Sequence, residues 1–280
     1  MELGQTFDLS AEAYDAVRPG YPDALLDRAL ARGGLGPGAR VLEVGCGTGK
    51  LTAMLVARGL HVDAVDPGPN MISVARRRLG PAVAFHLGRF EEVDLAGDFD
   101  AVFSATAFHW VDPEVGWRKA AAHLPPGGLI ALLAYMTYRD ERTGPVQDEF
   151  LELIRKHAPE VSDQLQPFQA LDVLLAGVDE RRANASAVWD WLLQGGLRRR
   201  TLVTPDGADL FEDVEVATET SMVEETADEW LALFRTTALY QQVDPARREA
   251  LEEDDRRLIE ELGGTVSSPV AYVLMTALRT

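Results

Sequence analysis

The chain has a single cysteine, Cys46, among 280 residues. A disulfide within the chain is therefore excluded, and a reducing compartment is the expected setting. Long apolar runs are missing too: no stretch approaches the roughly 18 residues that a membrane span needs. The opening MELGQTFDLSAEAYD carries acids where a secretory leader would place a basic and then an apolar segment, so a soluble, cytoplasmic protein is expected. Positive charge is scarce, with 27 Lys and Arg against 45 Asp and Glu and a formal net charge of -18. Such a surface repels a polyanion, which argues against nucleic acid as a partner. No His or Cys spacing suits zinc and no carboxylate cluster suits magnesium, so no metal is expected. What is present, 46% hydrophobic and 26% charged residues, is the composition of a globular chain long enough to bury a substantial core.

The first half alternates short apolar runs with helical patterns. Strands are expected over residues 39–45, 61–68, 82–88, 99–108 and 129–136. Between them the pattern predicts a helix over 51–59 closed by Gly59, and another from Asn70 to Arg78 with Asn70 as its cap. A third, from 111, is stopped by Pro125-Pro126-Gly127-Gly128. From 139 to 207 the pattern turns to helix alone, with Val146, Phe150, Leu153 and Ile154 at helical spacing. A strand then returns at 213–224, followed by helices over 227–242 and 245–264 and a last strand over 268–280. Glu252 to Arg256 and Glu253 to Arg257 are spaced as i,i+4 ion pairs on the second of these helices. This order predicts a doubly wound α/β fold with a seven-stranded, mostly parallel sheet and helices on both faces. Residues 1–138 would form the core, 139–207 a helical lid over the strands' carboxyl ends, and 208–280 the part that completes the sheet.

The stretch VLEVGCGTGKLT, residues 41–52, follows the first strand. It fails as a phosphate-binding P-loop, because the position five before Gly49 is Val44 and Lys50 is followed by Leu51. It also departs from the dinucleotide fingerprint, whose third glycine would fall at Lys50; the spacing here is G-x-G-x-G. E-V-G-C-G-T-G instead resembles the first motif of the class I S-adenosylmethionine (SAM) dependent methyltransferases, which share a Rossmann-like fold. The resemblance implies that Gly45, Gly47 and Gly49 form a bare floor for the methionine end of SAM, with Cys46 in the same loop, and that Glu43 steadies the loop or the cofactor's amino end.

An acid at the end of the second strand, about 20 residues past the glycines, suits a ribose, and Asp66 stands there. After the third strand the family places an acid near the adenine amino group. Here Arg89 holds that position, and Phe90 and Glu91 follow as candidate adenine contacts; a surface pair of Arg89 with Glu91 is the plain alternative. FDAVFSATAFHWVDPE resembles the fourth motif, which implies backbone carbonyls near Ser104 and Ala105 facing the methionine portion. AEAYDAVRPGYP resembles the N-terminal cap of small-molecule members, with Arg18 for the SAM carboxylate and Tyr14 and Tyr21 as lid aromatics or as packing.

The implied chemistry is in-line transfer of a methyl group from SAM, leaving S-adenosylhomocysteine, with alignment and exclusion of water as the protein's main work. If the nucleophile must lose a proton, His109 at the end of the fourth strand is the candidate base, and a packed wall residue is the alternative. No [DNS]-P-P-[FYW] motif and no Pro-Cys pair occurs, which points away from DNA or protein amino groups and cytosine C5 toward a small-molecule acceptor. Phe168, Trp189, Trp191, Tyr135 and Tyr138 could line its pocket or form the lid's own core. A SAM-binding protein without transfer activity, or an NAD-dependent oxidoreductase, are the competing readings. The latter lacks a Tyr-x-x-x-Lys pair as well as the third glycine.

Overall fold

The computed structural model describes residues 8, 11–193, 203–204 and 207–280. In chain order the first half comprises α1 (Ala11–Val17), α2 (Asp23–Arg32), β1 (Arg40–Val44), α3 (Lys50–Ala57), β2 (His61–Asp66), α4 (Pro69–Leu79), β3 (Val83–Leu87), β4 (Ala101–Ala105), α5 (Pro113–Ala122) and β5 (Leu129–Thr137). The second half comprises α6 (Gly144–His157), α7 (Leu171–Asp179), α8 (Ala185–Leu192), α9 (Gly207–Leu210), β6 (Phe211–Thr226), α10 (Ala227–Arg235), α11 (Ala238–Gln242), α12 (Pro245–Glu261) and β7 (Thr265–Arg279).

The strands form one seven-stranded sheet in the order β3-β2-β1-β4-β5-β7-β6. β1 to β5 run parallel, while β7 is antiparallel to both β5 and β6. Each central strand is covered on both faces, which is why the sequence reads there as continuous apolar runs. Leu42 and Val44 of β1 pack into one core with Trp117, Ile130 and Phe211; Val41, on the other face of the strand, packs into a second core with Leu26, Leu55 and Phe103. Trp117, 1% exposed, stands edge-on to Phe108 and Phe211, and its truncation to alanine would cost about 3–5 kcal/mol. Strand order reverses between β1 and β4, and a crevice opens at the carboxyl ends of these two strands, where such sheets bind ligands.

Four local expectations change. α4 begins at Pro69 and its cap position is Gly68, so Asn70 lies inside the first turn. The cap is supplied from a distance by Asp8, whose Oδ1 accepts from the N–H groups of Asn70 (2.7 Å) and Met71 (3.0 Å). The helix expected over 227–242 breaks at Thr236 and Thr237, and the Thr237 hydroxyl accepts the Tyr240 N–H and starts α11. On α12 the i,i+4 pairs give way to other partners: Arg256 pairs with Asp228 and Glu252 with Arg235, outside the helix, and Arg257 with Asp254 at i,i+3 spacing. Finally, the helical segment after β5 divides. α7 and α8 pack Leu174, Val188 and Trp189 into the core beside β6 and β7, whereas α6 packs on α10 and α12 through residues such as Phe150 and Trp230. Residues 194–202 and 205–206 of the expected lid lie outside the described residues.

Candidate active site

The glycine loop turns sharply away from β1. Val65 O accepts from the N–H of Gly45 (2.8 Å) and of Cys46 (3.0 Å), which ties the loop to the end of β2. Gly45 has φ +73°, and a Cβ there would stand 2.3 Å from the Cβ of Ala107. Only glycine meets both demands. Gly47 has φ +54°, and a Cβ on it would meet no protein atom within 4 Å, so its bare face is open to a ligand. Cys46 is buried, with Sγ near Gly47 O, and burial pushes its thiol well above the usual range. It stays a neutral filler of the loop.

Asp66 closes the loop from the β2 side. Its Oδ2 accepts from Gly47 N–H and its Oδ1 from Gly68 N–H, each at 2.8 Å. A carboxylate has about four acceptor positions, so two remain for a pair of ribose hydroxyls. Burial raises the Asp66 carboxyl to about 6 despite these two N–H groups. Glu43, 1% exposed on β1, is pushed up to about 8, first by burial and also by the charge of Asp66. Its Oε2 has no other hydrogen-bond partner among the described residues, and the buried Thr52 hydroxyl beside it draws the carboxyl part of the way back down. Glu43 is thus a neutral acid beneath the loop at neutral pH, able to donate as well as accept.

The end of β4 divides its side chains between the sheet and the cavity. Ser104 is fully buried and its Oγ donates to Val44 O at 2.7 Å, so it locks β4 to β1 and takes no place in the cavity wall. The wall is made by Ala105, Thr106 and Ala107. Thr106 has φ +52°, a left-handed conformation rare outside glycine, and it is held there by its N–H bond to Leu133 O (2.8 Å) and by a 2.8 Å hydroxyl bond with Tyr21. Nothing in the sequence marks this residue, since a threonine two past the strand's last serine has no pattern of its own.

The N-terminal segment covers the crevice. Tyr14, Arg18 and Tyr21 line a recess of about 50 Å³ with Glu43, Gly45 and Cys46. Burial pushes both phenols upward, so they remain hydrogen-bond donors. Arg18 lies over the Tyr14 ring at 5.2 Å, and its guanidinium donates to Thr236 Oγ1 (3.0 Å) and Thr236 O (3.1 Å), joining α1 to the end of α10. Lys50 and Thr48 bind Asp15 of α1, so the loop's lysine fastens the cap to the glycine loop.

Next to this recess a cavity of about 760 Å³ runs from Gly45, Gly47 and Asp66 past Ala105 to the underside of α6 and α10. Phe90, 3% exposed, and Glu91 line it, as do Arg89, His109 and Trp110. Glu91 Oε1 pairs with Arg89 (3.1 Å) and accepts Asp112 N–H (2.8 Å), so the pair is one wall of the cavity rather than a solvated surface contact. His109 sits in a single 3-10 turn, its ring 5.1 Å from that of Trp110. The far end of the cavity is apolar and aromatic. Phe150 stacks on Trp230 at 4.5 Å, and Phe234 follows at 4.8 Å from Trp230. Tyr135 and Phe168 reach the cavity, while Trp189 is core and Trp191 donates to Leu174 O at 2.8 Å. Trp230, Phe234, Gln147 and Glu225 escaped sequence reasoning, because α10 and the end of β6 read as ordinary amphipathic elements remote from every motif. Among the described residues no three His, Cys, Asp or Glu side chains gather as metal ligands, and no helix is long and apolar enough to cross a membrane.

Comparison with known proteins agrees with this geometry. Residues 41–128, from β1 to the turn before β5, match a family described as a methyltransferase domain. An uncharacterised methyltransferase of Mycobacterium tuberculosis is 42% identical over 173 residues, covering 60% of this chain and 67% of that protein. Among solved structures, a proposed type II methyltransferase of Anaeromyxobacter dehalogenans superposes with a TM-score of 0.56 at 22% identity, covering 94% of this chain and 96% of the other. A SAM-dependent methyltransferase of Geobacter sulfurreducens, solved with S-adenosylhomocysteine, has a TM-score of 0.50 at 16% identity and covers 96% of each chain. These two share the fold. The relative at 42% identity shares the sequence as well, the methyltransferase-domain match includes the glycine loop, and the chain belongs to the class I SAM-dependent methyltransferases.

Proposed function

We propose that the chain methylates a small molecule with an apolar body, which enters the chamber under α6 and α10. The observation that supports this most is continuity: a single cavity of about 760 Å³ joins the glycine loop and Asp66 to an aromatic chamber. A cavity of that size is in the range of small-molecule and cofactor sites and has room for a cofactor together with a small acceptor.

The residues present fit SAM. Gly47 offers bare backbone, Asp66 keeps two acceptor positions for ribose hydroxyls, and Phe90 with Glu91 stands where a purine would lie. Arg18 would take the carboxylate, and Glu43 would hold the loop from below. When bound, SAM supplies a methyl group already activated on a sulfonium. Thr106 and Ala105 would shape the wall beside the acceptor, and Tyr14 and Tyr21 would exclude water from above. His109, on the cavity wall, would accept a proton from an acceptor that must lose one.

Calorimetric titration with SAM and S-adenosylhomocysteine, followed by incubation with labelled SAM and a panel of small metabolites, tests the reading. Transfer of label to an apolar small molecule is the expected result. Label found only on added protein or nucleic acid would overturn it.

A further inference from the structure

Glu225 lines the cavity together with Phe150, Trp230 and Phe234, and its charge, after burial, helps to raise the nearby Tyr135 phenol. It lies at the end of β6, paired in register with Val266 of β7, and is half-buried. Val266 packs with Phe150, and Trp230 stacks on Phe150, so the carboxylate stands at the aromatic corner of the chamber. Among the described residues it makes no hydrogen bond and no ion pair. The two cations on the cavity wall are engaged elsewhere, Arg18 with Thr236 and Arg89 with Glu91. A carboxylate left without a counter-ion in an apolar, partly desolvated chamber is unfavourable unless a ligand supplies the charge.

We propose that the acceptor is a cationic, amine-bearing molecule with an apolar body, and that Glu225 is its counter-ion in the chamber. This rests on the small-molecule reading above. A neutral hydroxyl compound would leave the carboxylate's charge uncompensated, and an acid would be repelled by it. The aromatic faces of Trp230 and Phe150 add to the preference, because their π-systems attract a cation that comes within about 6 Å. The formal net charge of -18 acts in the same direction at longer range, raising the local concentration of cations. Burial and the nearby Glu229 push the Glu225 carboxyl above its ordinary range, the direction taken by an acid with no cation beside it.

The test uses the full chain saturated with S-adenosylhomocysteine and three probes of nearly equal shape: naphthylmethylamine, methylnaphthalene and naphthoic acid. Calorimetry at neutral pH is expected to show the amine binding at least about ten-fold tighter than the neutral probe, with the acid weakest. In Glu225→Gln the amine should lose that advantage while the neutral probe binds as before, and unchanged affinity for S-adenosylhomocysteine shows the variant to be folded. Equal binding of the three probes, or a ranking untouched in Glu225→Gln, overturns the inference and leaves the small-molecule reading standing. Loss of affinity for SAM but not for S-adenosylhomocysteine in Glu225→Gln would place the carboxylate at the sulfonium, and so also overturns it. If none of the probes binds, both readings fail.

Discussion

Asp66 and Gly47, 19 residues apart in the chain, are joined by a 2.8 Å bond from the Gly47 N–H to Asp66 Oδ2. The acid proposed for the ribose and the loop proposed for the methionine end are thus one unit, with Gly68 N–H held by the other oxygen. Asparagine at 66 would turn an NH2 toward one of these N–H donors and could accept with only one atom. Asp66→Asn is expected to weaken SAM binding by about 1.5–3 kcal/mol, roughly 10- to 150-fold, by calorimetry. An unchanged affinity would remove Asp66 from the ribose site.

The same carboxyl sets a pH dependence. Its value of about 6 in the folded chain is raised by burial, and in the proposed site ribose hydroxyls would bind its ionised form. Affinity for SAM should therefore be level above pH 6 and fall about ten-fold per pH unit below it, as the proton competes with the ligand. Titrations between pH 5 and 8 check this, and Asp66→Ala should flatten the profile.

The parallel core was legible because strands buried on both faces must be apolar throughout, and the glycines with Asp66 because few residues satisfy a left-handed loop or a strand-end acid. What the sequence hid was supplied from far along the chain. Asp8 caps α4 in place of Asn70, and Thr106 is set at the crevice by bonds to Leu133 and Tyr21, both distant in the chain. The chamber was the least visible part. Its walls come from α6, α10 and the ends of β6 and β7, whereas α7 and α8, which looked like lid, pack into the core. Helical periodicity shows that a face is buried, but not against what.

Gly45→Ala tests the loop's tolerance. The added methyl meets the Ala107 Cβ at 2.3 Å and the backbone keeps φ +73°, so steric and conformational penalties add. A loss of about 1–3 kcal/mol in denaturant stability is expected. Gly45→Ala with Ala107→Gly should recover only the steric share. Full recovery would show that the φ angle is without consequence.

Arg18 and Thr236 tie α1 to α10. Thr236→Ala removes one acceptor of the tie and leaves the guanidinium in place, whereas Arg18→Ala removes both the tie and any contact with the SAM carboxylate. If Arg18 serves the cofactor, Arg18→Ala should weaken SAM at least about ten-fold more than Thr236→Ala does, since a charge-assisted pair contributes about 1.5–3 kcal/mol. Equal losses in the two variants would make Arg18 a fastening of the cap alone.

Asp255 of α12 is fully buried, and neither carboxylate oxygen has a hydrogen-bond partner among the described residues. Burial first, then the charges of Asp254 and Glu252, raise it to about 8 from the ordinary 3.8 of an aspartate. Between these values the folded chain holds a proton that the unfolded chain releases, so the contribution of Asp255 to stability is greatest below about pH 4, falls as pH rises through the window and levels above 8. Asparagine carries no such proton. Relative to the wild type, Asp255→Asn should therefore gain on the order of 2–4 kcal/mol between pH 5 and pH 9, whatever its offset at pH 5. Glu43 titrates in the same direction, toward about 8, and leaves a residual slope in that variant. Denaturant midpoints of both proteins at pH 5, 7 and 9 measure the difference, and parallel curves would mean that Asp255 is ionised in the folded chain.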